Sequence, residues 1–179
     1  MMPICITGTP GVGKSTVAGI LRDSGFRTLS VGELALEAGF ILGRNPDRGY
    51  LEVDIKSLCS HVEGLEGDDA ILEGHLSHLC SCCSMVIVLR LHPKILEGRL
   101  KARNYPEEKI TENLEAEVLD VCLVEAVEIH GERVHEVDTT GRSASEVAGI
   151  IMDIINGDRV CPPGGVDFSG WLLGDGKAF

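Results

Sequence analysis

The chain has 179 residues, of which 44% are hydrophobic and 25% charged, so its composition is that of a soluble globular protein and excludes a wholly disordered chain. Its 16 basic and 28 acidic residues give a formal net charge of −12, which argues against a fold-wide basic face for duplex nucleic acid and favours basic partners. No apolar stretch reaches the ~18 residues of a membrane span and no signal peptide precedes the first strand pattern, so we expect one cytoplasmic domain with no membrane partner.

In the first half of the chain, short apolar runs alternate with helical periodicity. Residues 4–7 are apolar and bounded by glycine, which is typical of a buried parallel strand. The glycine-rich turn after them leads into a helical pattern that ends at Ser24, where Gly25 supplies the stop. Further predicted elements are a strand at 27–30, a helix at about 32–38, a loop at 43–49, a helix through Ile55, Leu58 and Val62, and a strand at 70–73.

The second half continues this alternation. Its predicted elements are a fully buried strand at 85–89, a helix beginning at Pro93, one long helix at 107–130, a strand at 135–137 and a helix from a Ser143 cap to Asn156. Strands that alternate with helices indicate an α/β fold, with a parallel sheet flanked by helices, over residues 1–156. Residues 157–179 are rich in glycine and proline, so we expect a tail outside the core that Trp171, Leu172 and Leu173 hold to a surface.

The seven cysteines are the unusual feature of the composition. Because their number is odd and the protein is expected in the cytoplasm, a disulfide framework is not predicted. Cys80, Cys82 and Cys83 closely follow His75 and His78, which invites interpretation as a metal site. The alternative, reduced thiols in a loop before a buried strand, is favoured because no Cys-x-x-Cys pair elsewhere completes a tetrahedral site.

Residues 8–16 read GTPGVGKST and match the phosphate-loop pattern G-x-x-x-x-G-K-[ST] in full, between a predicted strand and a predicted helix. The backbone of Gly8, Gly11, Val12 and Gly13 can curl so that successive N–H groups face one anion at the helix N-terminus. Lys14 then reaches the β- and γ-phosphates, and the Ser15 hydroxyl faces Mg²⁺. The motif predicts a site for a nucleoside triphosphate and Mg²⁺.

The chain lacks the N-K-x-D motif of guanine-specific GTPases. Residues 70–75 read AILEGH, an apolar strand that ends in a carboxylate, which is the layout of a Walker B strand. Glu73 would hold the magnesium shell through water, and the alternative is an acid at a strand end that faces solvent. His75 lies on the same face of the extended chain and could orient water or a phosphate oxygen, although a structural histidine remains open; His78 has a weaker case.

Arg99 and Arg103 are four residues apart on one predicted helix, so both guanidinium groups project from one face. Two arginines aimed together suit the charge of a transferring phosphoryl group, whereas the alternative is a solvated basic stripe with Lys101. The polar segment at 103–113 favours the catalytic interpretation, because small phosphate-loop kinases carry a mobile lid after the fourth strand and its helix.

Several segments together resemble one known family. They are the phosphate loop, VGELA at 31–35, the Glu73-x-His75 strand end, LKARNY at 100–105, KITEN at 109–113, and EAEV at 115–118 with Glu125-Ala126 after it. Over roughly residues 3–156 the chain resembles the CINAP group, the adenylate-kinase-like ATPases of archaea and eukaryotes that assist small-ribosomal-subunit maturation.

This resemblance implies an adenylate-kinase fold with an acceptor-nucleotide region near residues 30–53 and a lid near 102–112. It also implies ATP contacts at Gly11, Gly13, Lys14, Ser15, Thr16 and Arg103. Members of the group are similar in having nucleoside monophosphate kinase and ATPase activities and in binding a basic platform protein of the small ribosomal subunit. The resemblance therefore implies contact with nucleic acid, including ribosomal RNA, only within a pre-ribosomal particle.

Three residues depart from the pattern of the family. Glu73 stands where an Asp is common, Leu36 stands where relatives carry an arginine, and Asn104 replaces the glycine of an Arg-Gly-Tyr lid sequence. Arg44 or Arg48 is left as the alternative holder of an acceptor phosphate.

Two principal hypotheses follow. In the first, Mg·ATP gives its γ-phosphoryl group to AMP or another monophosphate, and Lys14, Arg99 and Arg103 stabilise the charge that develops. In the second, ATP binding and hydrolysis act as an assembly switch on a ribosomal partner, with the attacking water held near His75. In a third hypothesis, the protein is a regulatory binder that holds nucleotide without useful turnover.

Overall fold

The computed structural model of the protein describes residues 2–44, 51–64 and 70–171. These residues form a parallel sheet of five strands, in the order β2-β5-β1-β6-β7, and a separate antiparallel pair, β3 and β4. The strands are β1 (Ile4–Thr7), β2 (Thr28–Ser30), β3 (Ile41–Arg44), β4 (Leu51–Val53), β5 (Ile71–Glu73), β6 (Met85–Arg90) and β7 (Val134–Asp138). The predicted α/β class with a parallel sheet is confirmed.

Helices connect the strands and cover the sheet. They are α1 (Lys14–Asp23), α2 (Val31–Glu37), α3 (Ile55–Glu63), α4 (Pro93–Ala102), α5 (Glu107–Val118), α6 (Val121–His130) and α7 (Ala144–Ile155). Ser143 caps α7 in a reciprocal capping box with Glu146, as its sequence position predicts. In the described parts of the chain, none of these helices has both the length and the apolar character that a bilayer crossing requires.

Both faces of the sheet are buried, which explains the continuous apolar run of β6. Successive side chains of a strand point to opposite faces, so Ile87 and Leu89 join the core under α1, α4 and α7. Val86 and Val88 join the second core, which includes Leu58 of α3 and Ala126 of α6.

The strand order places one edge of the sheet in position for a ligand. β1 lies between β5 and β6, and all three strands run in the same direction. The connection after β1 leads to β2 on one side of it, whereas the connection after β5 leads to β6 on the other side. Open α/β sheets bind ligands at the carboxyl ends of strands around such a point. Residues 8–16 follow β1, and Glu73 ends β5, so both lie at this edge.

The predicted single helix over residues 107–130 is wrong. The structure has two helices, α5 and α6, that are separated at Leu119 and Asp120. Asp120 adopts the left-handed conformation, with φ of 57°, which an aspartate tolerates better than most residues. The apolar spacing continues across this break, which is why periodicity alone did not reveal it.

The cysteines pair in a way that the expectation of reduced thiols did not include. Cys5 of β1 is joined by a disulfide to Cys83, which lies in the turn before β6. The sulfur atoms of Cys59 and Cys80 are 2.6 Å apart. Among the described residues, no group of three or more His, Cys, Asp or Glu side chains is placed to hold a metal ion.

The chain after α7 was expected to lie outside the core and to be held to a surface, and it packs more closely than that. Residues 161–171, which we call the C-terminal strap, return to the edge of the sheet. The Cys161 carbonyl accepts a hydrogen bond of 2.8 Å from the Glu136 N–H, and its side chain packs against the core. The Trp171 ring meets the His92 ring edge-on at 5.9 Å. Leu172 and Leu173, also expected to anchor this segment, lie outside the described residues.

Candidate active site

The phosphate loop connects β1 to α1 through three glycines with positive φ, Gly8 at 131°, Gly11 at 100° and Gly13 at 113°. A positive φ disfavours any residue with a side chain. At Gly8 and Gly11, neighbouring atoms also leave no room for one. A Cβ at Gly8 would lie 2.4 Å from the Leu89 carbonyl oxygen, and one at Gly11 would lie 2.8 Å from Cδ1 of Leu96. The loop therefore rests directly on β6 and α4, and its curl depends on glycine.

Lys14, the first residue of α1, is only 8% exposed. Its Nζ donates hydrogen bonds of 2.7 Å to the Gly8 carbonyl oxygen and 3.0 Å to that of Thr9. Burial lowers the pKa of Lys14 to about 8, although the carboxylates of Glu73 and Glu117 act in the opposite direction. The ammonium group is thus fixed within the loop, in the protonated form at neutral pH.

Ser15 and Glu73 meet at the end of the sheet. The Ser15 hydroxyl donates a 3.1 Å hydrogen bond to Oε2 of Glu73, and β1 and β5 align Ile6 with Glu73. A hydroxyl and a carboxylate side by side are oxygen ligands of the kind Mg²⁺ prefers beside phosphate oxygens and water. This pair therefore fits the magnesium ion that the motif implies.

His75 and His78 have different surroundings. His75 lines the cleft beside Glu73, and desolvation, together with the charge of Lys14, lowers its pKa to about 4. His75 is partly reached by water, which makes the shift smaller. A lowered pKa of any size still leaves the imidazole neutral at pH 7. His78 is buried, with Nδ1 2.7 Å from the Thr7 hydroxyl and Nε2 3.0 Å from Glu125, so it links β1 to α6 and does not line this cleft.

Arg99 and Arg103 line one cavity beside the phosphate loop, as their spacing predicts, but they make different contacts. Arg99 Nη1 donates to the carbonyl oxygens of Gly11 and Val12, at 3.2 and 3.3 Å, and so steadies the phosphate loop from α4. Arg103, at the end of α4, faces the cleft above Lys14 and also the neighbouring cavity. The two arginines therefore share one cavity, in which Arg99 also holds the loop backbone and Arg103 also faces the cleft.

Asn104 in the expected lid segment has φ of 57°, the left-handed conformation. Glycine adopts this conformation most readily, and asparagine tolerates it better than most other residues. The departure from the Arg-Gly-Tyr pattern therefore preserves the backbone turn that directs Tyr105 toward the cleft.

Three cavities lie side by side at this edge of the sheet and share lining residues. A central cleft of about 310 Å³ contains the side chains of Lys14, Ser15, Glu73, His75 and Arg103. A polar side cavity of about 200 Å³ shares Gly13, Thr16 and Arg103 with it and adds Thr139 and Arg142. An apolar side cavity of about 480 Å³, on the other flank, shares Ser30, Gly32, Gly74 and His75. The lining of the apolar cavity includes Val31, Leu36, Ile41, Leu51, Val53 and Leu76.

Some residues of this site were not predicted from the sequence. Thr139 and Arg142 follow β7 at the same edge of the sheet, and the Thr139 hydroxyl lies 3.5 Å from the Val12 carbonyl oxygen. Ligands of open α/β sheets bind at the carboxyl ends of the strands, so the position of both residues just after the last strand could have indicated them. Of the two alternative acceptor arginines, Arg44 ends β3 and does not line the apolar cavity, and Arg48 lies outside the described residues.

Comparison with known proteins places this site in a family. A protein named "Putative adenylate kinase" from Methanothermobacter thermautotrophicus is 72% identical over 171 residues, which is 96% of this chain and 99% of that protein. A protein of the same name from Archaeoglobus fulgidus is 47% identical over 175 residues, which is 96% of this chain and 92% of that protein. The chain belongs to this family of adenylate kinase relatives. Residues 4–120 also match the family model described as an AAA domain, from β1 to the junction after α5.

The fold of this family member extends to more distant kinases. Shikimate kinase from Acinetobacter baumannii, solved with shikimate, superposes with a TM-score of 0.62 over 89% of this chain and 95% of that chain. The two sequences are 17% identical, so the likeness is one of fold.

Proposed function

We propose that the protein is a nucleoside monophosphate kinase, which transfers the γ-phosphoryl group of Mg·ATP to AMP or a similar nucleoside monophosphate. The observation that carries this proposal is the three-part site, in which one phosphate cleft lies between a polar cavity and an apolar cavity. A site with room on both sides of the phosphates suits two nucleotides that meet end to end. The shared name of the relatives supports the same activity.

The polar cavity suits the donor nucleotide. It adjoins Gly13 and Thr16 of the phosphate loop and carries Arg103 and Arg142. A guanidinium group stacks on aromatic rings and pairs with phosphate oxygens, so these arginines can hold the base and phosphates of ATP. The position of this cavity beside α1 keeps the triphosphate along the helix N-terminus.

The apolar cavity suits the base of the acceptor. Its volume of about 480 Å³ lies in the range of small-molecule sites, and its lining is mostly aliphatic. An adenine ring could bury its faces against Leu36, Ile41 and Val53 while its phosphate points to the central cleft. This arrangement would leave the acceptor phosphate oxygen beside the γ-phosphate.

In this mechanism the chain supplies positioning and charge. An oxygen of the acceptor phosphate forms a bond to the γ-phosphorus as the bond from that phosphorus to the β–γ bridging oxygen breaks, and two diphosphates result. Lys14 and Arg103 stabilise the charge on the transferring group, and Arg99 keeps the loop in shape. Ser15 and Glu73 would hold Mg²⁺, which neutralises phosphate charge when bound.

ATP hydrolysis is a second candidate, because a neutral imidazole at His75 stands in the cleft where it can accept a hydrogen bond from water. In this reading the protein is an ATP-driven assembly factor for a basic platform protein of the small ribosomal subunit. The resemblance to the CINAP group and the net charge of −12 support that partner.

The test follows ADP and free phosphate separately in one reaction with Mg·ATP, with and without AMP. A kinase forms ADP only weakly without AMP and much faster with it, and releases little phosphate. Phosphate release at a slow rate that ignores AMP would contradict the kinase proposal and favour the ATPase. The His75→Ala variant should retain AMP-dependent ADP formation and lose hydrolysis, and equal loss of both would contradict a water-positioning role.

A further inference from the structure

A buried cluster of charged side chains lies directly behind the phosphate loop. Arg90, the last residue of β6, is 2% exposed and donates to two buried carboxylates. Its Nε lies 3.0 Å from Oε1 of Glu117 on α5, and its Nη1 lies 2.7 Å from Oε1 of Glu136 on β7. Nη2 donates to the Glu117 carbonyl oxygen and to the Asp120 carboxylate. One guanidinium group therefore holds two strands and the α5–α6 junction together.

One end of this cluster reaches the phosphate loop. The second carboxylate oxygen of Glu117 accepts a 2.5 Å hydrogen bond from the Thr9 hydroxyl, and Thr9 is buried between Gly8 and Pro10. Oε1 of Glu117 also accepts a 2.9 Å hydrogen bond from the Leu91 N–H. Thr9 is thus fixed by a side chain that does not line any of the three cavities of the site.

The other end reaches the C-terminal strap. Oε2 of Glu136 accepts hydrogen bonds from three successive backbone N–H groups, those of Gly164 at 2.9 Å, Gly165 at 2.8 Å and Val166 at 3.2 Å. The Phe168 ring covers the Arg90 guanidinium at 5.4 Å. The strap therefore supplies both hydrogen-bond donors and an aromatic face to the cluster.

The positions of these groups depend on one another because they are charged and buried. A buried charge is tolerated only when it is paired and hydrogen-bonded, and removal of one partner leaves the other uncompensated. Burial acts to lower the pKa of Arg90, but the carboxylates of Glu117 and Asp120 outweigh it and raise that pKa above its ordinary value. Loss of the strap contacts at Glu136 would therefore shift Arg90, and a shift of Arg90 would move Glu117.

We propose that Glu117 is a positioning residue of the nucleotide site, and that the C-terminal strap sets its orientation through Glu136 and Arg90. The strap then contributes to nucleotide affinity without touching the nucleotide, because it holds Thr9 and the phosphate-loop backbone in the shape that receives phosphates. This inference rests on the proposed binding of ATP at the phosphate loop.

The test measures the dissociation constant for Mg·ATP by calorimetry, on the full chain, at a temperature where circular dichroism shows each variant to be folded. Thr9→Val removes the hydroxyl at nearly constant volume and should weaken binding about tenfold, whereas Thr9→Ser keeps the hydroxyl and should stay within about threefold. Glu136→Gln should weaken binding about fivefold, and its matched control is Glu132→Gln, which changes an exposed carboxylate four residues away and should have no effect.

The double variant Thr9→Val/Glu136→Gln separates positioning from a general loss of stability. If the strap acts through Glu117 and Thr9, the double variant should bind about as weakly as Thr9→Val alone, since the connection is already broken. Independent effects would multiply to about fiftyfold, and that result would overturn the proposal. Binding by Glu136→Gln equal to that of the wild type would overturn it too.

Two further results complete the test. Should Glu136→Gln fail to fold, Phe168→Ala replaces it in the same cycle, because this change removes the ring over Arg90 and leaves every carboxylate in place. If the wild-type protein binds no Mg·ATP, the proposed function itself fails; if it binds and the cycle is additive, only the role of the strap fails.

Discussion

The two flanks of the phosphate cleft are built from different parts of the fold. The polar flank rests on the main sheet, because its residues come from the ends of β1 and β7 and from α4 and α7, which pack against the larger core. The apolar flank rests on α2 and on the β3–β4 pair, whose strands have four and three residues. In the proposed function the donor phosphates would therefore meet the main sheet, and the acceptor would meet a small, separate layer.

This difference follows from the chemistry of each flank. Phosphate recognition requires several N–H groups and cations fixed to within a fraction of an ångström, and buried strands and helix termini provide that precision. Recognition of a base by an aliphatic cavity depends on volume and shape, which short elements can supply. We therefore expect large effects on catalysis from changes on the donor flank and smaller, acceptor-specific effects from changes on the other.

The largest expected effect is that of Lys14→Ala. Loss of the buried ammonium should lower kcat/KM for ADP formation by about a thousandfold or more, because phosphoryl transfer relies on charge stabilisation. The matched control is Lys101→Ala, which removes an exposed lysine paired with Glu97 on the outside of α4 and should leave activity within about twofold. A Lys14→Ala protein with near-normal kcat/KM would contradict the assignment of the phosphate loop.

Arg103→Ala should lower kcat by about a hundredfold, since the arginine faces the central cleft and should act on the transferring group. Steady-state kinetics with both substrates varied will show whether the loss falls on kcat. Arg22→Ala, an exposed arginine in the last turn of α1, is the control and should be silent. A pure increase in the KM for ATP would instead indicate that Arg103 only binds the donor.

The pH dependence of donor binding tests the burial of Lys14. Phosphates favour the charged form of the lysine, but its pKa in the free protein is lowered to about 8. ATP binding above that pH must therefore take up a proton, and affinity should fall about tenfold between pH 7 and pH 9. Calorimetry in buffers of different ionisation enthalpy should show proton uptake that rises from near zero at pH 7 toward one at pH 9. An affinity and proton count unchanged over this range would contradict a buried, depressed lysine.

The smallest expected effect lies on the apolar flank. Ile41→Ala removes an aliphatic side chain from the lining of the apolar cavity and should raise the KM for AMP about fivefold, with the KM for ATP within about twofold. Leu42→Ala is the neighbouring control, because Leu42 is 70% exposed and does not line the cavity. Equal increases in both KM values for Ile41→Ala would show that the two flanks are not separate.

Local sequence patterns predicted the parallel strands and most of the helices, but not the β3–β4 pair or the break between α5 and α6. The phosphate loop is a contiguous motif whose glycines, lysine and serine act through the backbone of one turn, so its residues arrive together in space by necessity. The carboxylate of Glu73 could be placed beside Ser15 because parallel strands end at the same edge of a sheet.

What the sequence did not reveal depends on contacts between distant residues. Glu117 and Arg90 each sit within an amphipathic or apolar pattern, and nothing local indicates that a buried arginine joins a helix, two strands and the C-terminal strap. The same applies to the pairing of Cys5 with Cys83, which are 78 residues apart. Glycine and proline in the strap suggested a tail outside the core, whereas the N–H groups of Gly164 and Gly165 donate hydrogen bonds to the buried carboxylate of Glu136.

The fate of the γ-phosphoryl group tests the central claim most directly. The protein should be mixed in excess with ATP labelled at the γ-phosphorus and with unlabelled AMP and Mg²⁺, and the nucleotides and inorganic phosphate separated over a single turnover. The account predicts that the label moves into ADP formed from AMP, and that Lys14→Ala leaves it in ATP. Label that appears in inorganic phosphate while AMP remains unchanged would contradict the assignment of the apolar flank to an acceptor nucleotide.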